Sequence, residues 1–225
     1  MKIIEVEQGR SEWLSLREGR ITGTKLGKLY SKSRAADKLY NDEQPLLGFY
    51  QLVAERLATG TGDDDGLDSS RERGHDLEGE ALARAEEELG LKLRHGDVWM
   101  ANNHHLASPD GWTEDLKTAV EIKCLSSARH VMAMALNEPP KEYRAEYINY
   151  FIVNPKLEAL YVFLYDNRFD YPELQAVWWR LERTELDWEI KEMKRLADSA
   201  EDSANRLAAS LVEKFVQKGA EDGRN

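Results

Sequence analysis

Residues 119–125 (AVEIKCL) restrict the possible folds of this chain more than any other segment. They alternate between apolar and charged side chains, and successive side chains of a β-strand point to opposite faces of the sheet. One face is apolar and must pack against a core: Val120, Ile122 and Cys124. The other face carries Glu121 and Lys123, roughly 7 Å apart along the strand. We therefore expect a strand with a buried apolar face and a carboxylate beside an ammonium on the opposite face.

The remaining patterns predict a single domain over residues 1–225, with an α/β (α+β) fold and a mixed central β-sheet flanked by helices. Helices are expected at residues 11–18, 24–30, 46–58, 71–89, 127–137, 141–153 and 184–218. Thr22 stands where an N-cap would serve the second helix. Strands are expected at residues 91–107 (two or three short ones), 119–125, 157–165 and 174–182.

The net charge argues weakly against a nucleic-acid partner, because binding phosphates requires Lys and Arg, whereas acidic residues outnumber basic ones by 42 to 31. Residues 17–34 are an exception, with six basic side chains against one acidic side chain. Such a local basic patch keeps DNA binding possible. The single cysteine excludes an intrachain disulfide and indicates a reducing compartment such as the cytoplasm. No apolar run approaches the roughly 20 residues that cross a membrane, so no membrane partner is expected.

Asp110 lies eleven residues before Glu121, in a turn by composition (SPDG, residues 108–111). If the strand before residues 119–125 pairs with them antiparallel, Asp110 can reach Glu121. Two converging carboxylates repel each other and invite a hard divalent cation such as Mg²⁺, to which the backbone carbonyl of Ile122 could add a ligand. The same spacing also fits a solvent-facing strand with a cross-strand ion pair, so the spacing alone leaves both interpretations open.

A cation held there would polarise a phosphoryl group and acidify a bound water. Lys123 would then position or deprotonate that water, or neutralise the charge that develops on the phosphate. Each role depends on its residue type, since the metal needs oxygen ligands and the developing anion needs a cation.

These two segments, SPDG at 108–111 and EIK at 121–123, resemble the PD-(D/E)XK nuclease superfamily. With the N-terminal stretch around WLSLREGRITGT (residues 13–24), the chain more closely resembles the phage lambda-type alkaline exonucleases of the YqaJ-like viral recombinase family. The resemblance implies that Arg17 and Thr24 bind a 5′-phosphate, although the family more usually has Ser at the second place, and that Arg34 contacts DNA. The N-terminal segment, at about residues 6–34, would thus bind DNA. A helix that begins near Thr22 would also offer free N–H groups to an anion.

Two further segments carry the resemblance less closely. In RGHDLEGE (residues 73–80) it implies a carboxylate beside the metal at Glu78, with Glu80 as the competing choice. His75 in the same segment is a further candidate site residue. After the catalytic strand the family often shows Gln-x-x-x-Tyr, and the matching residues here are Glu146 and Tyr150. Because glutamate replaces glutamine, Glu146 either binds metal-bound water or faces solvent.

The resemblance implies a Mg²⁺-dependent exonuclease, with one or two ions and Mn²⁺ as a substitute. It would digest linear double-stranded DNA 5′ to 3′, release mononucleotides and leave 3′ overhangs for a single-strand annealing protein in phage or prophage recombination. Members form a homotrimeric ring, and the expected location is the cytoplasm of a bacterial host. The alternatives are an endonuclease with the same core and a non-catalytic DNA-binding scaffold.

Overall fold

The computed structural model describes residues 1–6, 9–28, 40–41, 44–45, 49, 52, 69–101, 105–125 and 127–217. Its helices are α1 (Ser11–Arg17), α2 (Gly23–Lys28), α3 (Ser69–Leu89), α4 (Ser127–Leu136), α5 (Arg144–Val153), α6 (Pro172–Gln175) and α7 (Arg183–Val212). Its strands are β1 (Lys2–Glu5), β2 (Tyr40–Asn41), β3 (Gln44–Pro45), β4 (Asp97–Ala101), β5 (His105–Ala107), β6 (Gly111–Trp112), β7 (Thr118–Lys123), β8 (Ala159–Tyr165) and β9 (Ala176–Glu182). Only two residues of the predicted helix 46–58 are described, Phe49 and Leu52, and both are buried.

The mixed central sheet has the strand order β6–β7–β8–β9. Its middle pair, β7 and β8, is parallel, while the two outer pairs are antiparallel. A parallel pair needs a crossover connection, and here α4 and α5 lie between the two strands in the chain. The prediction of a mixed sheet flanked by helices is confirmed.

The strand β7 is covered on both faces. Its apolar face packs against α3 in a buried cluster, as the alternation predicted: Ala81, Ala85, Leu93, Val120, Ile122, Cys124, Phe163 and Tyr165. The opposite side of the sheet faces a larger core, to which α5 and α7 contribute and which includes Tyr147, Phe151 and Ile190. Cys124 is buried in the first cluster, so it is a core residue.

The structure differs from the predicted fold in the N-terminal part of the sheet. Strands β4 and β5 do not extend the central sheet but form a second, antiparallel sheet in the order β1–β4–β5. Strand β1 was not predicted, because its four residues are mostly exposed and carry only two β-branched side chains as a signal. The strand expected from residue 174 begins at Ala176, since Pro172 opens the short helix α6 in front of it.

The C-terminal helix begins at Arg183 and continues through Val212 into a π-helical turn, Glu213–Gln217. Each helix in the described part of the chain is either too short or too polar to cross a lipid bilayer.

Candidate active site

Asp110 stands beside Glu121, as the antiparallel pairing required. The register of β6 and β7 pairs Gly111 with Val120, so Asp110, one residue before β6, is level with Glu121. Its Oδ2 atom accepts a hydrogen bond of 2.6 Å from the backbone N–H of Ile122. This bond anchors the Asp110 carboxylate to the same strand that carries Glu121 and Lys123.

Helix α5 covers the charged face of β7 with two polar side chains. Glu146 and Tyr150 lie four residues apart on this helix and therefore share a face. The Lys123 Nζ atom pairs with Oε1 of Glu121 and, at 3.0 Å, with Oε2 of Glu146. The Tyr150 hydroxyl contacts Oε2 of Glu121 and lies 3.0 Å from the Ser108 carbonyl oxygen. Two residues of the strand and two of the helix thus form one continuous polar network.

This network is largely shielded from solvent. The side chain of Glu121 is 5% exposed and that of Lys123 is 17% exposed. The ring of Tyr143, just before α5, lies 4.6 Å from the Lys123 ammonium, a cation–π distance. Tyr143, Tyr147 and Tyr150 follow a three-and-four spacing typical of one helix face, which could have indicated the contribution of Tyr143 from the sequence.

Burial and mutual repulsion change the acidity of both carboxyl groups. Burial and the neighbouring charge of Glu121 raise the pKa of Asp110 well above its usual value. Burial raises the pKa of Glu121 to about 7, against the opposing effect of Lys123. Burial alone would lower the pKa of Lys123, but the carboxylates of Glu121, Glu146 and Asp110 outweigh burial and raise it well above the usual lysine value.

The donors fit a hard divalent cation in kind and charge. Within the described ranges, no group of three or more His, Cys, Asp or Glu side chains has the spacing of a metal site. The two carboxylates of Asp110 and Glu121 offer oxygen only, and each resists ionisation where it stands. A cation would relieve the repulsion between the two carboxylates. Mg²⁺ commonly uses one or two carboxylates, with water completing its shell.

Of the two acidic candidates on α3, the structure brings Glu78 and not Glu80 towards Asp110. The half-buried Glu78 is one of the charges that raise the pKa of Asp110. Glu80 instead accepts hydrogen bonds from the Tyr165 hydroxyl at 2.6 Å and the Asn167 amide at 3.1 Å.

The N-terminal segment reaches the site through Gly23, a residue that the sequence reasoning missed. A Cβ atom at Gly23 would lie 3.0 Å from both Cα and Cγ of Glu146, closer than ordinary van der Waals contact. Helix α2 therefore packs directly on the residue that pairs with Lys123. Thr22 caps this helix as predicted, since its Oγ1 accepts the N–H of Lys25 at 3.4 Å.

The two predicted 5′-phosphate ligands lie on neighbouring helices. Thr24 follows Gly23 and is exposed. Arg17 ends α1, with its guanidinium 4.2 Å from the centre of the Trp13 ring. The buried Lys25 donates from Nζ to the Arg17 carbonyl at 3.4 Å and so links the two helices. Arg34 and the side chain of His75 lie outside the described residues.

These observations agree with the comparisons with known proteins. The chain belongs to the YqaJ-like viral recombinase domain family, whose model matches residues 12–153. This range contains all the site residues described above, from Arg17 to Tyr150. No curated protein matches the chain significantly in sequence.

Among solved structures, the fold is similar to that of an alkaline exonuclease from Laribacter hongkongensis, with a TM-score of 0.70 and 23% sequence identity. The match covers 91% of this chain and 99% of that one, and the same values hold for the complex of that enzyme with dAMP. A phage-related exonuclease from Haemophilus somnus matches with a TM-score of 0.55 and 14% identity, over 82% of this chain and 94% of the other. The chain therefore has the fold of these exonucleases.

Proposed function

We propose that this protein is a metal-dependent exonuclease that digests linear double-stranded DNA. The observation that carries the proposal is the convergence of Asp110, Glu121 and Lys123 at the charged face of β7. Family membership and the exonuclease fold support it. Digestion would proceed 5′ to 3′, release 5′-mononucleotides and leave 3′ single-stranded overhangs.

Asp110 and Glu121, with the carbonyl of Ile122, would hold one or two Mg²⁺ ions, and Mn²⁺ would substitute. A bound ion supplies Lewis acidity towards the phosphoryl group and its attacking water. Glu78 would act beside this position through a water molecule. The hydrogen bond from the Ile122 amide holds the Asp110 carboxylate towards β7, so both acidic groups would meet a phosphodiester at the charged face of this strand.

Lys123 acts as a cation in this proposal and not as a base. Three neighbouring carboxylates raise its pKa well above the ordinary lysine value, which favours the ammonium form over a free amine that could act as a base. A buried ammonium stabilises the negative charge that builds on the phosphate in the transition state. Tyr150 orients Glu121 through the hydroxyl contact and remains protonated, since burial raises its pKa well above the usual value.

Arg17 and Thr24 would grip the terminal 5′-phosphate, with Arg34 contacting DNA further along. The contact between Gly23 and Glu146 supports this, because it brings the start of α2 next to the proposed catalytic lysine. A guanidinium offers paired donors to phosphate oxygens. The dAMP complex of the Laribacter enzyme also supports a mononucleotide product.

The proposal extends to the assembly and its partner. A homotrimeric ring would enclose the duplex, so that processivity follows from topology and an acidic protein needs basic residues only along its channel. The overhang would pass to a single-strand annealing protein during phage or prophage recombination in the bacterial cytoplasm. Sedimentation of the protein with and without linear duplex tests the ring.

One digestion experiment tests the chemistry. Linear duplex with and without a 5′-phosphate, and closed circular duplex, are incubated with Mg²⁺ or with a chelator. We expect release of mononucleotides from the phosphorylated linear DNA alone, and only with Mg²⁺. Cleavage of the circle would favour an endonuclease, and a lack of cleavage on every DNA would favour a scaffold.

Variants of the site make the experiment specific. Glu121→Gln and Lys123→Met should abolish release while DNA binding persists. Glu158→Gln is a matched control, because it removes a carboxylate that pairs with Lys117 on the surface. Full activity of either site variant would refute the assignment.

A further inference from the structure

Both carboxylate oxygens of Glu121 are engaged by neighbouring side chains. Lys123 contacts Oε1 and Tyr150 contacts Oε2. A divalent cation bound by Glu121 must therefore share or displace one of these partners. The ammonium of Lys123 is the partner that matters, because its positive charge competes with the cation for the same oxygen.

Glu146 offers the Lys123 ammonium a second carboxylate partner. Its Oε2 lies 3.0 Å from Lys123 Nζ, and its side chain is 26% exposed. An ammonium has three donors, so it binds both carboxylates at once and can lean towards Glu146 without leaving the site. A Cβ at residue 23 would lie 3.0 Å from Cα and Cγ of Glu146, so only a glycine there leaves Glu146 its present position.

A carboxylate suits this place better than an amide. A hydrogen bond between an ammonium and a carboxylate is charge-assisted and roughly twice as strong as a neutral one. A glutamine at residue 146 would offer one neutral oxygen, and Lys123 would then rest mainly on Glu121.

We propose that Glu146 is a positioning residue that holds the Lys123 ammonium in the site while Glu121 turns to the cation. Ammonium and cation then act on the same phosphate without competing for one carboxylate. The inference rests on the proposed function, since it assumes a divalent cation at Glu121.

Calorimetric titration of the full chain with Mg²⁺, without DNA, tests this through binding and not activity. Four proteins are compared: wild type, Glu146→Gln, Lys123→Met and the double variant. We expect Glu146→Gln to weaken Mg²⁺ binding about tenfold, from the loss of a charge-assisted hydrogen bond. In the Lys123→Met background the same change should alter Mg²⁺ binding less than about twofold, because additivity fails for residues that act through one another.

Two further variants separate positioning from general effects. Glu146→Asp keeps the charge and should recover part of the Mg²⁺ affinity lost in Glu146→Gln. Glu189→Gln is the matched control, since it removes a carboxylate of α7 that pairs with Arg144 on α5, the helix that carries Glu146. This variant should bind Mg²⁺ as wild type does. Thermal unfolding of each variant checks that the fold is retained.

The outcomes distinguish the two proposals. If Glu146→Gln lowers Mg²⁺ affinity equally in the wild-type and Lys123→Met backgrounds, the positioning role is wrong. Glu146 would then contribute to Mg²⁺ binding directly or purely electrostatically. Unchanged Mg²⁺ affinity in Glu146→Gln, with wild-type cleavage still dependent on Mg²⁺, would overturn this inference alone. A wild-type protein that neither binds Mg²⁺ nor cleaves DNA would overturn the proposed function and this inference with it.

Discussion

The six residues of β7 alternate between two faces, and the two faces follow different physical rules. Towards α3, Val120 and Ile122 meet apolar side chains in a dry cluster. Towards α5, Glu121 and Lys123 meet Glu146 and Tyr150 through directional contacts. Apolar packing requires volume and shape, whereas a buried charge requires a specific partner at hydrogen-bond distance. The first face should therefore carry stability and the second face should carry the chemistry.

The largest expected effect comes from the charged face. Glu121→Gln should lower the rate of nucleotide release by at least about 10³-fold, since it removes a proposed metal ligand and a charge from a water-poor site. The free energy of unfolding should change little, because the variant no longer has to bury a carboxylate that resists ionisation. Single-turnover digestion and urea unfolding measure the two quantities. A large loss of stability with activity retained would reverse the assigned roles of the faces.

The apolar face should show the opposite result. Phe163 is fully buried on β8 beside Ile122 and packs towards α3. Phe163→Ala should reduce the free energy of unfolding by about 3–5 kcal/mol through the cavity it leaves. Digestion at low temperature, where the variant stays folded, should keep a kcat near that of wild type. Loss of Mg²⁺ binding in the folded variant would mean that the two faces are coupled.

A pH series sharpens the comparison further. The pKa of Glu121 is raised to about 7 in the free protein, so this carboxyl group is protonated below about pH 7 and ionised above it. A metal bound by Glu121 would displace that proton, so Mg²⁺ affinity should fall by about tenfold for each pH unit below 7. The fall should be steeper where Asp110, whose pKa is also raised, is protonated as well. Calorimetry from pH 5.5 to about 9 would measure the change. Affinity that is flat across this range would contradict the raised pKa.

The smallest expected effect lies where α2 meets the charged face. Gly23→Ala places a Cβ 3.0 Å from Glu146, so Glu146 must shift, and activity should fall several-fold with a destabilisation of about 1–3 kcal/mol. Gly79→Ala is the matched control on α3, because a Cβ there meets no atom within 4 Å. It should leave activity unchanged and stabilise the helix by up to about 1 kcal/mol. If the two variants change activity and stability to the same extent, Gly23 does not contribute to the site.

Local patterns predicted much of this molecule. Alternation in residues 119–125 predicted both faces of β7. The composition of residues 108–111 predicted a turn, and the structure has a bend at Asp110 directly before β6. The separate β1–β4–β5 sheet was missed, because pairing between distant strands leaves no local signal in a segment as short as β1. The pairing of Glu146 with Lys123 was not predicted, since helical spacing defines which residues share a face but not which surface that face meets.

Periodicity alone was sufficient to place a carboxylate and an ammonium side by side on one strand, because that geometry lies within a few bonds of the backbone. The partners of those charges come from α5, and α2 packs on α5 where Gly23 meets Glu146, a contact between residues more than a hundred positions apart in the chain. Packing of distant helices on the sheet determines such contacts, and with them the burial that raises the pKa of Glu121 and keeps Lys123 charged.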